Sequence, residues 1–253
     1  MGIRTPITHT IMDEGRAQLT LQTWMSAAFP IGAFSYSHGL ESAIADGRIN
    51  NASSCEQWIA GIFQYGSGWN DAICTSHACS CIDIELSRTS GAAAHDHSDH
   101  TTRALRSSLQ AINDLALALC AGAERRQETI QQGHAFATAA AISNAPTVLS
   151  LIDHEISLPV AVGAQGALTG ISLNSLLPAS IQANASNLVW ICTRLIPLGQ
   201  TQALQIIANL QTLIIDTAQR AVKSSLSDLG GCALLADLAS IEHERLYSRV
   251  CIT

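Results

Sequence analysis

The chain is short of charge and of aromatic rings. Asp, Glu, Lys and Arg make up 13% of its 253 residues and Phe, Trp and Tyr only 4%, against 47% hydrophobic residues in all. The apolar bulk is therefore aliphatic and Ala-rich, which favours helices over sheets. So low a charge fraction, about half the usual level, fits either a surface covered by partners or a large share of buried helix. No apolar run approaches the ~20 residues of a membrane span. Met1–Gly15 lacks the basic-then-apolar order of a secretory leader, so a cytoplasmic chain with a loose tail over residues 1–15 is expected. The net charge of −7 argues against a nucleic-acid binder, which needs a basic face. Strand alternation is missing, as are internal repeats and any compositional break between domains. The expectation is all-α: a single domain over residues 16–253 of about ten packed, mostly antiparallel helices.

Catalytic signatures are equally scarce. There is no G-x-x-x-x-G-K-[ST], no H-E-x-x-H and no G-x-S-x-G. These absences remove motif-local chemistry, though not a site assembled from distant residues. The eight cysteines are irregularly spaced and read as free, small apolar residues; Cys79-x-Cys81 has the spacing of neither a zinc knuckle nor a redox pair. Of nine histidines only His95, His97 and His100 group together, around the low-complexity segment 87–99. Imidazole beside carboxylate suits nickel, copper or zinc. The i, i+2, i+5 spacing matches neither one helix face nor a fixed tetrahedral site, so a solvated loop is the plainer reading. No cofactor and no resident metal are expected.

What the chain does contain is helix punctuation. A helix is expected over Arg16–Ala28, stopped by Pro30, which pushes Phe29 out of the helical region. Gly32 permits a tight turn, and Ser35 is read as the N-cap of a helix from Tyr36 to Ala45. Phe29, Ile31, Phe34 and Tyr36 are expected to pack around this corner. On that helix His38 and Glu41, three apart, would share a face. Ser53/Glu56 and Ser54/Gln57 form overlapping capping boxes for the next helix. Asn70-Asp71 would start another, running to about Leu86. Asp99 or Thr101 opens a helix through Leu105, Leu109, Ile112, Leu115 and Leu119. The polar run Glu124–Gly133, with Arg125 facing Glu128 at i+3, reads as a solvated or inter-helix face.

Asn144-Ala145-Pro146 and Ser157-Leu158-Pro159 are two N-cap-plus-proline starts. The second opens a small-residue helix in which Gly163 and Gly166 are tolerable only where another helix packs very close. Asn174–Leu195 is the clearest long helix. Pro197 ends it and Gly199 turns the chain. Gln200 or Thr201 restarts a helix that should bury Leu204, Ile207, Ala208, Leu210 and Ile214. A last helix spans Ala233–Glu244, and the tail that follows has Leu246 and Tyr247 as apolar anchors.

Four blocks carry a family resemblance. They are Phe29-Pro30-Ile31-Gly32-Ala33-Phe34-Ser35-Tyr36-Ser37-His38-Gly39-Leu40-Glu41; Arg126-x-Glu128 with Gln132-Gly133; Ser186–Val189 with Arg194-Leu195-Ile196-Pro197-Leu198-Gly199-Gln200-Thr201; and His243-Glu244 with Tyr247-Ser248-Arg249. In order and spacing the chain from about residue 16 onward resembles the urease accessory protein UreF family. The resemblance implies an all-helical, dimeric, non-enzymatic chaperone. Such a chaperone bridges UreD (also called UreH) and the nickel-carrying GTPase UreG, and the assembly delivers nickel to the urease apoprotein.

The site residues it implies, as partner contacts or as structural motif, are Pro30, Gly32, Phe34, Ser35, Tyr36, Gly39, Leu40, Glu41, Arg126, Glu128, Arg194, Pro197, Gly199, Gln200 and Tyr247. The family's terminal segments contact UreD. An exposed arginine, with Arg126 and Arg194 the candidates, would act on UreG. Two departures stand out: His38 occupies a position where Gln is more usual, and the tail ends Arg249-Val250-Cys251-Ile252-Thr253. A nickel-binding or storage protein using His95, His97 and His100 is the alternative function. A helical enzyme with a dispersed site ranks third.

Overall fold

Residues 158–168 read Leu-Pro-Val-Ala-Val-Gly-Ala-Gln-Gly-Ala-Leu, apolar and small on every side, which is the pattern of a helix buried all round. The computed structural model, which describes residues 12–91, 98–143, 146–152 and 154–253, places them as a buried central helix. Ser157 precedes its first residue, and every residue from Pro159 to Leu168 is buried. A Cβ at Gly163 would stand 2.2 Å from the carbonyl oxygen of Thr75, so the two backbones approach to a distance only glycine permits. At Gly166 a Cβ would meet the side chain of Leu176 at 2.3 Å. The close packing expected of these glycines is therefore present.

The described residues form ten α-helices and no strand: α1 Glu14–Trp24, α2 Leu40–Ala45, α3 Ala52–Tyr65, α4 Ser67–Gly91, α5 Ser98–Ala118, α6 Ala123–Ala140, α7 Leu158–Leu168, α8 Leu173–Leu195, α9 Gln200–Lys223 and α10 Leu234–His243. The all-α expectation holds. Helix α7 packs against α4, α6 and α5, while α8 and α9 pack on each other and, with α3, on the other end of α4. Two apolar clusters result. One gathers Leu40, Ile59, Phe63, Ile73, Leu188, Val189 and Leu210 from α2, α3, α4, α8 and α9. The other gathers Cys79, Ile82, Leu109, Phe136, Val160 and Leu176 from α4 to α8. Helices α4 and α8 contribute to both, so they tie the clusters together.

Several local expectations are corrected. Helix α1 begins at Glu14, capped by the Asp13 carboxylate from the Arg16 N–H at 3.3 Å, and ends at Trp24 rather than Ala28. Asn51, not Ser53 or Ser54, caps α3, with Ser54 as the reciprocal member of the box. Helix α4 starts at Ser67 and reaches Gly91, into the segment read as a loop. Leu115 is exposed on α5. On α9 the buried face is Ala203, Ile206, Leu210, Ile214, Thr217 and Ala221; Leu204 is 58% exposed and Ala208 is also outside. Apolar residues on two faces of that helix made the stripe ambiguous. Thr147 caps a 3-10 turn, Val148–Ser150, while Asn144 and Ala145 lie outside the described residues. So do His95, His97 and the His100 side chain. All eight cysteines are free thiols.

Candidate functional site

The Phe29–Glu41 stretch builds a corner, but not the one its residue types announce. Gly32 takes a left-handed conformation (φ 71°) and Ala33–Ser35 form one 3-10 turn. Tyr36 is extended, so Ser35 does not cap a helix. His38 (φ 55°) and Gly39 (φ 79°) are both left-handed, and α2 starts only at Leu40. Gly39 has a second constraint: a Cβ there would lie 2.6 Å from the backbone nitrogen of Ser240, where α2 meets α10. Phe29 packs on Phe136 at 5.5 Å between ring centroids, whereas Phe34 points outward and is 64% exposed.

The last residues of the chain close onto this corner. The Ser37 N–H donates to the Thr253 carbonyl at 2.7 Å and the Ile252 N–H donates to the Ser35 carbonyl at 2.7 Å; the Ser37 hydroxyl donates to the same Thr253 oxygen. Glu41 completes the clamp. Its Oε1 accepts the Val250 N–H at 2.7 Å and its Oε2 the Cys251 N–H at 2.8 Å. Burial alone would push the Glu41 carboxyl up. The Val250 and Cys251 N–H groups and His243 reverse this and hold it below the ordinary glutamate value.

Burial and Glu41 together push the Cys251 thiol up to about 11, so it stays protonated. His243, fully buried, lies with Nε2 3.4 Å from Glu41 and Nδ1 2.7 Å from Glu124. Arg249 donates to the other Glu124 oxygen at 2.7 Å. His38 and Glu41 do not share a helix face, because α2 starts at Leu40; the imidazole beside Glu41 is that of His243.

Below the clamp lies a buried charge cluster. Arg125 is 2.8 Å from Asp71 and 3.7 Å from Glu128. The Thr253 hydroxyl donates to Glu128 at 3.0 Å, and His38 Nδ1 faces the same carboxylate at 3.6 Å. Against the penalty of burial, Arg125, His38 and Thr253 hold the Glu128 carboxyl down at about 2. For Asp71 burial wins over Arg125 and His38, and its carboxyl is raised. The Tyr36 hydroxyl bonds Gln131, and burial with the nearby Glu128 charge raises its pKa. Of the two readings of this run, solvated or inter-helix, the second holds for Glu128 and Gln132, which are buried.

The third block joins from α8. Asn187 donates to the Ala33 carbonyl at 3.0 Å; Arg194 donates to the Phe34 carbonyl at 2.9 Å and lies over the Phe34 ring at 4.1 Å. Phe34, Ser35, Tyr36, Gly39, Leu40, Glu41, Glu128 and Arg194 therefore come together in one region. Arg126 does not: it pairs with Glu155 on the surface at 2.5 Å. Pro197, Gly199 and Gln200 form the α8–α9 corner, where Gln202 accepts the Gly199 N–H at 3.1 Å. Tyr247 is fully exposed rather than an anchor, and Pro30 is also exposed. Glu124, Asn187, Arg125, Asp71 and His243 were missed as site residues. Their separation along the chain hides them, and only the recurrence of Asn187 and His243 inside the four blocks signalled them.

One more surface belongs to this region. Leu234, Leu235, Leu238 and Ile241, at helical spacing on α10, are all exposed, and the exposed Tyr247, Val250 and Ile252 follow them on the tail. Comparison with known proteins places the chain. The UreF family model matches residues 49–211. The chain belongs to the UreF family. It is 39% identical over 234 residues to the urease accessory protein UreF of Mesorhizobium japonicum, covering 92% of this chain and 95% of that one. With the UreF of Cereibacter sphaeroides it shares 39% over 235 residues (93% and 98% covered). With UreF 1 of Brucella abortus it shares 36% over 250 residues, 99% of each. The UreF membership therefore spans both apolar clusters and the closed corner.

Proposed function

We propose that this UreF-family chain is a urease maturation chaperone that takes no catalytic part in maturation and bridges UreD/UreH and UreG while nickel is inserted into the urease apoprotein, acting in the cytoplasm as a homodimer. A urease accessory role follows from the family; the bridging is the finer reading. The observation that carries it is the apolar row Leu234, Leu235, Leu238 and Ile241, held in place by a tail that Glu41 fixes to the corner. Exposed rows of this kind, rimmed by polar residues, mark protein–protein contacts. We assign this row, with Tyr247, to UreD/UreH. The second exposed row, Leu204, Ile215 and Val222 on α9, is assigned to the second copy of the chain.

In this reading Pro30, Gly32, Ser35, Tyr36, Gly39, Leu40, Glu41, Glu128, Pro197, Gly199 and Gln200 shape the binding surface, and Phe34 and Tyr247 touch partners. Arg126 and Arg194 already have partners, Glu155 and Phe34, so an effect of either on UreG requires that partner to be released. Pull-down with the UreD and UreG homologues, followed by sizing of the complex, tests the reading. Gly32→Val, which forces a β-branched residue into a left-handed turn, is expected to reduce complex assembly. Fully active, nickel-loaded urease in cells lacking this chain would end the proposal. The side chains of His95, His97 and His100, on which the nickel-binding alternative rests, lie outside the described residues.

A further inference from the structure

Ser67, His38 and Glu128 are far apart in the chain and meet in line. His38 Nε2 is 2.6 Å from the Ser67 hydroxyl oxygen, and Nδ1 of the same ring faces the Glu128 carboxylate at 3.6 Å. Hydroxyl, imidazole and buried carboxylate in this order is the arrangement that activates a serine nucleophile, recognised by geometry and not by sequence position. Glu128 suits the third place: its carboxyl, held at about 2, remains an anion at every physiological pH, and Arg125 and Thr253 fix its orientation. Asp71 lies near the same imidazole.

Two further observations point beyond simple packing. His38 is the only described non-glycine residue with positive φ (55°). A histidine held in that region costs on the order of 1 kcal/mol, and such strain gathers at functional sites. Ser67 is half-buried, so solvent reaches it, while His38 and Glu128 are buried behind it. Ser67 is also the first residue of α4, whose 25 residues give it a full helix dipole. The Trp69 and Asn70 N–H groups bond the Gly66 carbonyl at 3.1 and 3.2 Å. The amides of Ser67 and Gly68, at the same positive end, have no intrahelical acceptor and can donate to an oxyanion formed at Ser67.

We infer that Ser67 is a nucleophile toward small carboxylic esters, with His38 as general base and Glu128 as the residue that positions it: an esterase activity separate from the scaffold role. The step balances. Ser67 Oγ adds to the acyl carbon and its proton passes to His38 Nε2. The tetrahedral oxyanion collapses, the ester C–O bond breaks, and the departing alkoxide takes the proton from Nε2. Water then adds to the acyl-serine, giving its proton to Nε2, and the acid leaves as the proton returns to Ser67. The sum is ester plus water to acid plus alcohol.

The full chain is treated with a fluorophosphonate probe and the adduct mapped by peptide mass, and p-nitrophenyl acetate hydrolysis is followed in parallel. The adduct is expected on Ser67. Ser67→Ala and His38→Gln should each lower hydrolysis about 100-fold or more, the scale of a lost general base. Glu128→Gln should lower the rate and alter its pH profile, a change that a merely structural role would not produce. Ser67→Ala, a small change at a half-buried site, keeps the test decisive if His38→Gln does not fold. Absence of an adduct on the folded protein, or equal labelling of Ser67 in folded His38→Gln, overturns the inference. Capture of UreD and UreG homologues by Ser67→Ala should be unchanged, which separates this result from failure of the scaffold reading.

Discussion

Glu41 and His243 face each other across the junction of α2 and α10, with carboxylate Oε2 3.4 Å from imidazole Nε2. The same oxygen accepts the Cys251 N–H, so one side chain joins the opening corner, the last helix and the tail. A buried carboxylate with this many donors is a single point of failure, because removing it strands several polar groups at once.

Glu41→Ala is therefore expected to lower stability by about 3 kcal/mol, the scale of hydrogen bonds to a charged acceptor. It should also release residues 250–253 for digestion. Urea unfolding reads the first effect and carboxypeptidase trimming the second. An unchanged digestion rate would show that Ser37 and Glu128 hold the tail unaided.

Two glycine substitutions should act in opposite directions. Gly163→Ala places a Cβ 2.2 Å from a backbone oxygen that cannot move aside, and overpacking of this kind costs about 1–3 kcal/mol. At Gly61, inside α3, an added Cβ meets nothing within 4 Å. Gly61→Ala should stabilise by roughly 0.5–1 kcal/mol through lost unfolded-state entropy. Thermal melts of the two variants against the parent chain decide the point.

The acid limb of stability follows from the carboxyls with depressed values. Glu128 (about 2) and Glu41 (lowered) bind protons more weakly folded than unfolded. Their contribution is complete above the unfolded value near pH ~4.3 and is lost as pH falls toward about 2. Asp71, raised by burial, acts with the opposite sign and takes up its proton first. Urea midpoints measured from pH 6 to 2.5 should fall with pH, and Glu128→Gln should flatten that dependence.

The two exposed apolar rows should separate by function. Leu235→Glu with Leu238→Glu is expected to abolish capture of the UreD homologue while leaving the oligomeric state intact. Leu204→Glu with Ile215→Glu should do the reverse. Because all four side chains are exposed, neither pair should move the melting temperature by more than a few degrees. Light scattering and pull-down on the same preparations distinguish the outcomes.

The helices were legible because their apolar spacing and their Pro/Gly boundaries are local signals; the expected Asn174–Leu195 differs from the observed α8 by one residue at its start. The start of α2 was not legible. Ser35 has a good N-cap side chain, but the left-handed turns at His38 and Gly39 delay the helix by four residues, and nothing local in a histidine announces positive φ. Glu128 was obscured for a different reason. A glutamate between Gln127 and Thr129 in a polar run reads equally as solvated or as facing another helix until its distant partners, Thr253 and His38, join the local Arg125 around it. The α9 face was displaced because that helix is apolar on two sides, one for the core and one exposed.

The docking of Thr253 carries a practical consequence. That residue is only 2% exposed, with its carbonyl on Ser37 and its hydroxyl on Glu128. An affinity tag or fluorescent fusion attached there would begin inside the protein and have to unpick the corner to reach solvent. A weak or absent complex seen with such a fusion would then report the position of the label and not the behaviour of the chain.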